Sequence, residues 1–574
     1  MKFFLLVIFI HVILLETIGQ DIKLEYWRID FKDKQFNTFK ESNPKEFLSK
    51  RSIERRQKNH VDVTIEDLPV TKLYVDSVCK NSINYLYASK WFNSIVVTGD
   101  SFDVANTMLN SFVKGVFKLH EKYITKKMSN DKAVKNVNFN ELIGCANQEI
   151  YNKVINNNIG NLGLKDKSLN ASNVNYNYGY SFNQIDLLNG VLVHEKGYTG
   201  KDIIIGVLDG GFNKLQDVFV FDNLIVSNRI IAVKDYVDNE AFDFSGSTHG
   251  TQVLSVMAGD KNGVYVGTAP DASYVLLRTE DTRSESPLEE ENWISGIEFA
   301  DSLGVDIINS SLGYTTFDNT KYNHKYSDSN GNTTRISIAG NKAFSKGMVI
   351  VNSAGNSGES AWGYIGFPSD AENVLAVGAV DAQLKRALFS SYGPTVDNRI
   401  KPDVVAQGKN VLIVNHYGDV TMASGTSFAA PLITGLTACL LQAYPMVSAK
   451  EIVNSIKRSA SQYTSSDNYY GYGIPNFYSA YIFLSNKTEE SISVFPNPFK
   501  EDLNIMYSSY EEKNIDVFIY NNIGQLMLHK EGLKVNKTKN IYLFQEEISG
   551  LMQGLYYIII KDKNTKYSRC LLKE

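Results

Sequence analysis

Four short apolar runs constrain this chain more than any other feature. Ile203–Leu208, Val305–Ile308, Met348–Val351 and Val374–Val377 are nearly unbroken in Val, Ile, Leu and Ala. That is the pattern of a strand buried on both faces, not of one with a wet side. Between the first two, Trp293, Ile294, Ile297, Ala300 and Leu303 recur at helical spacing. Strands alternating with helices predict one large α/β domain over residues 178–485, a mostly parallel sheet flanked by helices.

At 574 residues the chain exceeds one hydrophobic core, so flanking units are expected. Lys2 precedes the apolar run Phe3–Leu15, broken only by His11, and Thr17 and Gly19 follow at signal-peptidase spacing. This predicts a secretory signal over residues 1–19, cut before Gln20; the run is too short for a membrane anchor. No later stretch reads as long and apolar enough to span a bilayer, so no transmembrane segment is expected in the mature chain. A net charge of −5 gives no reason to expect nucleic acid or an anionic membrane as partner. Cys79, Cys145, Cys439 and Cys570 lie too far apart for a zinc or redox motif. Residues 20–120 read as a small α+β unit, with strands at Tyr26–Phe31, Trp91–Thr98 and Val113–Leu119 and helices around Pro44–Gln57 and Val104–Phe112. The Asn-rich stretch within 121–177 reads as a linker or processing region. Beyond Asn486, Val494–Phe499, Ile515–Tyr520, Ile541–Phe544 and Leu555–Ile560 alternate with turn residues, predicting a small β-sandwich over residues 490–574.

Functional groups in open α/β sheets gather where strands end. Asp209 directly follows the first apolar run and precedes Gly210 and Gly211. Asn356 closes Asn352–Ser353–Ala354–Gly355–Asn356 after another. His249, in Thr248–Thr251, and Ser427, in Gly425–Pro431, each open an apolar helix, the second continuing through Leu432, Ile433, Leu436, Leu440 and Leu441. Pro431 is expected in that helix's first turn. Acyl transfer needs these residue types: an imidazole to take the serine proton, a carboxylate to hold its tautomer, and amide donors for the oxyanion. Alone, Asp209 reads more readily as a helix cap, Asn356 as a turn residue and His249 as a satisfied core histidine. A polar serine beside two alanines is not needed to fill a core.

His-Gly-Thr at 249–251, Gly-Thr-Ser-Phe-Ala-Ala-Pro at 425–431, Ser-Ala-Gly-Asn-Ser-Gly at 353–358 and Gly-Thr-Ala-Pro at 267–270 resemble the subtilisin-like serine peptidase family, in its Asp, His, Ser order. The resemblance implies a secreted serine endopeptidase, with Asp209 as orienter, His249 as general base then acid, Ser427 as nucleophile and Asn356 as oxyanion donor. It implies that Ser311–Leu312–Gly313 and Ser353–Ala354–Gly355 flank the substrate's P1 side chain over Gly366. With no charge recognised on those walls, Phe, Tyr, Leu or Met is expected at P1. The insertion Tyr314–Asn341, with Trp362 and Tyr364, borders the pocket. Gly210, Gln252 and Phe428 depart from the family's usual residues. A catalytically inactive binding or adhesive protein on this fold, and a narrow processing protease, are the alternatives.

The N-terminal unit resembles the family's inhibitory propeptide, which implies an intramolecular inhibitor beside protein or peptide substrates as partners. Pro496–Phe499, Asn522–Gln525 and Gly554 make the tail similar to a type IX secretion sorting domain of Gram-negative bacteria, against a carbohydrate-binding or stabilising module. This implies the type IX machinery as a partner and delivery to the cell surface or medium. The chemistry requires no cofactor and no metal ligand is assigned; structural calcium is left open, since the segment from His249 to Gly267 offers only Asp260 and Asn262.

Overall fold

The computed structural model describes residues 21–80, 82–125, 176–238, 244, 246–485, 491–509, 512–536, 539–562 and 566–574. The expected signal peptide, Cys145 and most of the expected linker lie outside the described residues. The chain divides into two compact units, Met1–Gln442 with Ile452–Ala480, and Ala443–Glu451 with Tyr481–Glu574.

In the larger unit, an antiparallel sheet is built from β1 (Asp21–Phe31), β2 (Asn84–Ser89), β3 (Ser94–Thr98) and β4 (Val113–Thr125), in the order β2–β3–β1–β4. Helices α1 (Lys50–Lys58), α2 (Lys72–Val78) and α3 (Ser101–Asn106) interrupt it in sequence. All five residues of β3 are buried because the sheet is covered twice. Ile95 and Val97 pack against Tyr74, Val75, Val78 and Val104, while Val96, on the opposite face, joins Tyr87, Trp91 and Leu119 in the core of the α/β sheet. Two local expectations are corrected here. The helix expected over Val104–Phe112 ends at Asn106 and tightens into a 3-10 turn, Thr107–Leu109; Met108 and Leu109 point to solvent, with no core to hold a further turn. The third strand runs past 120 to Thr125.

The α/β domain has the expected class. Its strands β5 (Ile204–Asp209), β6 (Ile230–Asp235), β7 (Ser273–Arg278), β8 (Ile307–Ser310), β9 (Val349–Ser353), β10 (Val374–Val380) and β11 (Val404–Gln407) form one sheet, ordered β11–β10–β9–β8–β5–β7–β6. Every pairing in it is parallel. Strand β5 sits where the order reverses, so its carboxyl end opens into the crevice that such sheets use for ligands. Around it lie α4 (His249–Ala258), α5 (Pro287–Leu303), α6 (Arg335–Ser345) and α7 (Thr426–Ala443). Helix α5 starts where the sequence dictates: Pro287 needs no N–H in the first turn, and the Glu289 carboxylate accepts from Ser286 N–H at 2.8 Å. Helix α7 is long and apolar enough to cross a membrane, against the expectation of no such stretch, but 89% of it is buried as the core helix of the domain.

The outer side of α5 meets the N-terminal sheet through charge. Asp301 receives Arg55 at 2.5 Å, Arg56 at 2.8 Å and Lys90 at 2.7 Å. Glu291 pairs with Arg28 at 2.9 Å and Arg335 at 2.8 Å. Glu298 accepts from Ser89 Oγ and Lys90 N, both at 2.6 Å.

In the smaller unit, β12 (Ser491–Phe495), β13 (Leu503–Ser508) and β16 (Lys539–Phe544) form one sheet; β14 (Lys513–Asn521), β15 (Leu526–Val535), β17 (Gly554–Lys561) and β18 (Lys566–Lys573) form another. Val494, Leu503 and Ile505 from the first pack against Val517, Ile519, Ile558 and Ile560 from the second, the core of a sandwich.

Candidate active site

Asp209, the last residue of β5, is fully buried. Gly210 N–H donates to its Oδ1 at 2.8 Å, so the glycine that offers no side-chain support there offers its backbone instead. His249, the first residue of α4, donates from Nδ1 to Asp209, 2.9 Å from Oδ1 and 3.0 Å from Oδ2. This pairing sets the tautomer and leaves Nε2 as the free acceptor. Burial lowers the imidazole pKa, but the Asp209 charge and hydrogen bond outweigh it, and the net shift is upward from 6.5. A glycine is required next to the histidine: a Cβ on Gly250 would stand 2.4 Å from Gly211 O and 3.0 Å from Asp209 Cβ.

Ser427 lies in the first turn of α7, buried at 8% exposure. Its Oγ donates to Ser311 O at 3.4 Å; no Ser427–His249 hydrogen bond is present among the described residues. Phe428 packs beside the imidazole, with ring centroids 5.5 Å apart. Pro431 stands in the second turn, not the first as expected. Its missing N–H frees the Ser427 carbonyl four residues earlier, and Ser311 Oγ donates to that oxygen at 2.9 Å. The proline therefore ties the serine's backbone to the neighbouring strand end.

Asn356 is exposed to the cleft. Its Oδ1 accepts from Thr426 N at 2.9 Å and Thr426 Oγ1 at 3.0 Å, which fixes the amide with its NH2 away from α7's first residue. Gly355 before it has φ +109°, a left-handed conformation suited to glycine.

Asp209, His249, Ser427 and Asn356 line one cleft of about 290 Å³ with Ser311, Leu312, Gly313, Ser353, Gly355 and Gly366. Ala354 does not reach it: the side chain is buried, and its N–H and C=O are taken by Val377 O at 2.9 Å and Gly366 N at 3.1 Å. A Cβ on Gly366 would meet nothing closer than Thr315 Cγ2 at 3.6 Å, so the space above it is open. The insertion closes one side, Tyr314 exchanging backbone hydrogen bonds with Phe367 at 3.0 and 3.2 Å. Trp362 donates to Ile365 O beneath. Two wall residues were missed in the sequence, where no charge was recognised: Glu280 and Glu285 line the same cleft. Burial, with Asp209 and Glu285 nearby, pushes the Glu280 carboxyl up to about 8. The only signal for them was their place just beyond β7, in a stretch dense in acids.

Asp260 and Asn262 are engaged within the protein. Asp260 accepts from Asn223 Nδ2 and Asn262 from Asn177 N, and no cluster of three His, Cys, Asp or Glu ligands occurs among the described residues.

The class of protein, a serine endopeptidase, follows from the relatives the chain matches. Comparison with known proteins gives the family. The Subtilase family model matches residues 200–473. Subtilisin DY of Bacillus licheniformis is 30% identical over 294 residues, 51% of this chain and 95% of that protein. Subtilisin NAT of Bacillus subtilis subsp. natto is 30% identical over 292 residues, 50% of this chain and 68% of that protein. The chain belongs to the subtilase family. A solved structure of an epidermin leader peptide processing serine protease from Staphylococcus aureus shares the fold, with a TM-score of 0.51 and 16% identity across 81% of this chain and 100% of that one. A Peptidase S8 propeptide domain of the Bacteroidota matches residues 25–136. A secretion system C-terminal sorting domain matches residues 493–574. The tail thus addresses the protein through type IX secretion to the cell surface or extracellular space.

Proposed function

We propose that Asp209, His249 and Ser427 are the catalytic triad of this peptidase and that Asn356 donates to the oxyanion. One observation carries the reading: the His249 imidazole is held by both Asp209 oxygens, 2.9 and 3.0 Å away, in the cleft that Ser427 enters from a helix N-terminus. Ser427 Oγ turns from Ser311 O toward His249 Nε2 when substrate arrives, a tightening usual between free and occupied sites. It attacks the scissile carbonyl while Nε2 takes its proton. The oxyanion then accepts from Asn356 Nδ2 and from the Ser427 N–H, which has no partner within its helix. The imidazolium, stabilised by Asp209, protonates the leaving amine, and water hydrolyses the acyl-enzyme by the same route. Ser427→Ala is expected to abolish turnover and labelling by a fluorophosphonate probe while the fold persists; turnover like that of the unmodified enzyme refutes the assignment. The inactive-binder reading requires an unlabelled native protein.

The organisation that goes with it is a signal peptide at 1–19, a propeptide from 20 through β4 to at least Thr125, a linker to 177, a peptidase domain at 178–485 and a sorting domain at 490–574. The propeptide acts as intramolecular inhibitor and the type IX machinery as export partner. At P1 a large apolar side chain enters the open space over Gly366, gaining roughly 1.5–3 kcal/mol of transfer energy. A cleavage profile over a peptide library tests this, and dominant Arg, Lys or Asp at P1 overturns it.

A further inference from the structure

The loop after β7 and the start of α5 carry acids at 280, 281, 285, 289, 290 and 291. Most are answered within the protein. Asp281 pairs with Arg283 at 2.5 Å and Lys122 at 3.8 Å. Glu289 accepts from the backbone of Asp281 and Ser286 at 2.9 and 2.8 Å. Glu290 meets His324 at 2.8 Å, and Glu291 is clamped by Arg28 and Arg335. Glu280 and Glu285 are the exceptions: among the described residues neither carboxylate has a hydrogen bond or ion pair, and both face the cleft that contains Ser427. Glu280 is anchored beside the chemistry, because Thr279 N–H before it donates to Asp209 O at 3.0 Å.

We propose that Glu280 and Glu285 form a cation-binding subsite that takes a lysine or arginine side chain of the substrate at P2; the inference rests on the peptidase reading above. An extended peptide presents successive side chains to opposite faces. With P1 entering the space over Gly366, P2 faces the other way, toward the His249 side of the cleft, where Glu280 stands. Lysine and arginine suit this place because their stems lie along the wall while the charged head reaches the carboxylates. Arginine adds a two-pronged contact. The groups facing Glu280 are Asp209, His249, Tyr314, Glu285 and Glu289, and the Glu280 carboxyl is raised first by its loss of water and then by crowding from Asp209 and Glu285. A substrate cation relieves that crowding. The enzyme then selects an apolar residue preceded by a basic one.

The test uses the processed full-length enzyme and fluorogenic peptides Ala-Ala-X-Phe, with X as Lys, Arg, Gln, norleucine or Glu. Expected is a kcat/KM for Lys or Arg roughly ten- to a hundredfold above that for Gln. The ratio falls toward one in Glu280→Gln, is partly kept in Glu280→Asp, and shrinks in the unmodified enzyme as salt rises. A ratio near one in the unmodified enzyme overturns the proposal, as does a ratio that Glu280→Gln and Glu285→Gln both leave in place. Should Glu280→Gln fail to fold, Glu285→Gln and the salt profile decide. Failure of the peptidase reading itself looks different: no peptide is cut and fluorophosphonate labels nothing, which overturns both.

Discussion

Replacing Asp301 by alanine is expected to weaken the propeptide's hold on the peptidase by somewhat over a hundredfold. Its carboxylate, on α5, is fully buried and answers three propeptide cations: Arg55 at 2.5 Å, Arg56 at 2.8 Å and Lys90 at 2.7 Å. Removing one member of a buried pair costs about 3–5 kcal/mol, because the partner's charge stays desolvated. The low end applies here. Arg56 keeps Asp67 at 3.0 Å, Lys90 keeps Ser302 Oγ at 2.7 Å, and Arg55 keeps Lys346 O at 3.2 Å. About 3 kcal/mol corresponds to slightly more than two decades in affinity. The assay is inhibition of the mature enzyme by separately produced propeptide, residues 20–125, with peptide turnover as the readout. On the enzyme side Asp301 lies outside the cleft, so turnover without propeptide serves as the folding control. The pH dependence adds a second check. Burial raises the Asp301 carboxyl, but Lys90, Arg56 and Arg55 outweigh it and hold it far below the usual carboxylate range. A depressed carboxyl contributes fully above its ordinary value near 4 and loses its contribution only below that. The difference in inhibition between the unmodified enzyme and the Asp301→Ala variant is therefore flat from about pH 5 to 9. An inhibition constant within threefold of the unmodified enzyme refutes the reasoning, and so does a difference that vanishes at neutral pH.

Asn356→Ala should lower kcat roughly a hundred- to a thousandfold, the loss found when a subtilisin gives up its oxyanion asparagine, with KM little changed; steady-state kinetics check it. Thr426→Val removes one of two donors that aim the Asn356 amide and the acceptor for Gly355 N–H at 3.2 Å, so a fall in kcat of about tenfold at similar KM is expected. Because Asp209 holds the His249 imidazolium, the acid limb of kcat/KM should have its midpoint above 6.5, activity being lost as pH falls through it; a midpoint below 6.5 contradicts this. Deleting residues 486–574 should leave peptidase activity intact but retain it in the periplasm, as cell fractionation would reveal.

The parallel sheet was legible because its inner strands have no polar face: Ile204–Asp209 and Val374–Val380 are buried throughout, whereas the edge strand Ile230–Asp235 is not. The four motif residues stood out because each ends a strand, follows one within three residues or opens a helix. What escaped depended on partners distant in sequence. Strand β2, whose short run Tyr85–Ala88 gives no clear alternation, is settled only by its pairing with Val96 and Val97. Pro431 was expected a turn too early, since nothing local reveals that Ser311 Oγ takes the carbonyl it frees. Ala354 belonged to the right segment, yet its backbone groups are both spent within the domain.

The largest illegible element was charge. Nothing local in the sequence assigns partners to the acids from Glu280 to Asp301. In three dimensions they divide by what lies opposite. Glu291, Glu298 and Asp301 face a propeptide that brings Arg28, Ser89, Lys90, Arg55 and Arg56 to meet them. Glu280 and Glu285 line an open cleft, and among the described residues their carboxylates have no hydrogen bond or ion pair. A carboxylate short of water and without a cation is costly, and a partner that pairs with it part of the time offsets that cost. Along α5 the intermittent partner is the propeptide, present before processing and absent after it. In the cleft the intermittent partner is the peptide being cut. One acidic stretch thereby serves both recognition steps, and its two ends are separable by substitution: Asp301→Ala acts on inhibitor affinity and leaves the preference at P2, whereas Glu280→Gln acts on that preference and leaves the ion pairs around Asp301 untouched.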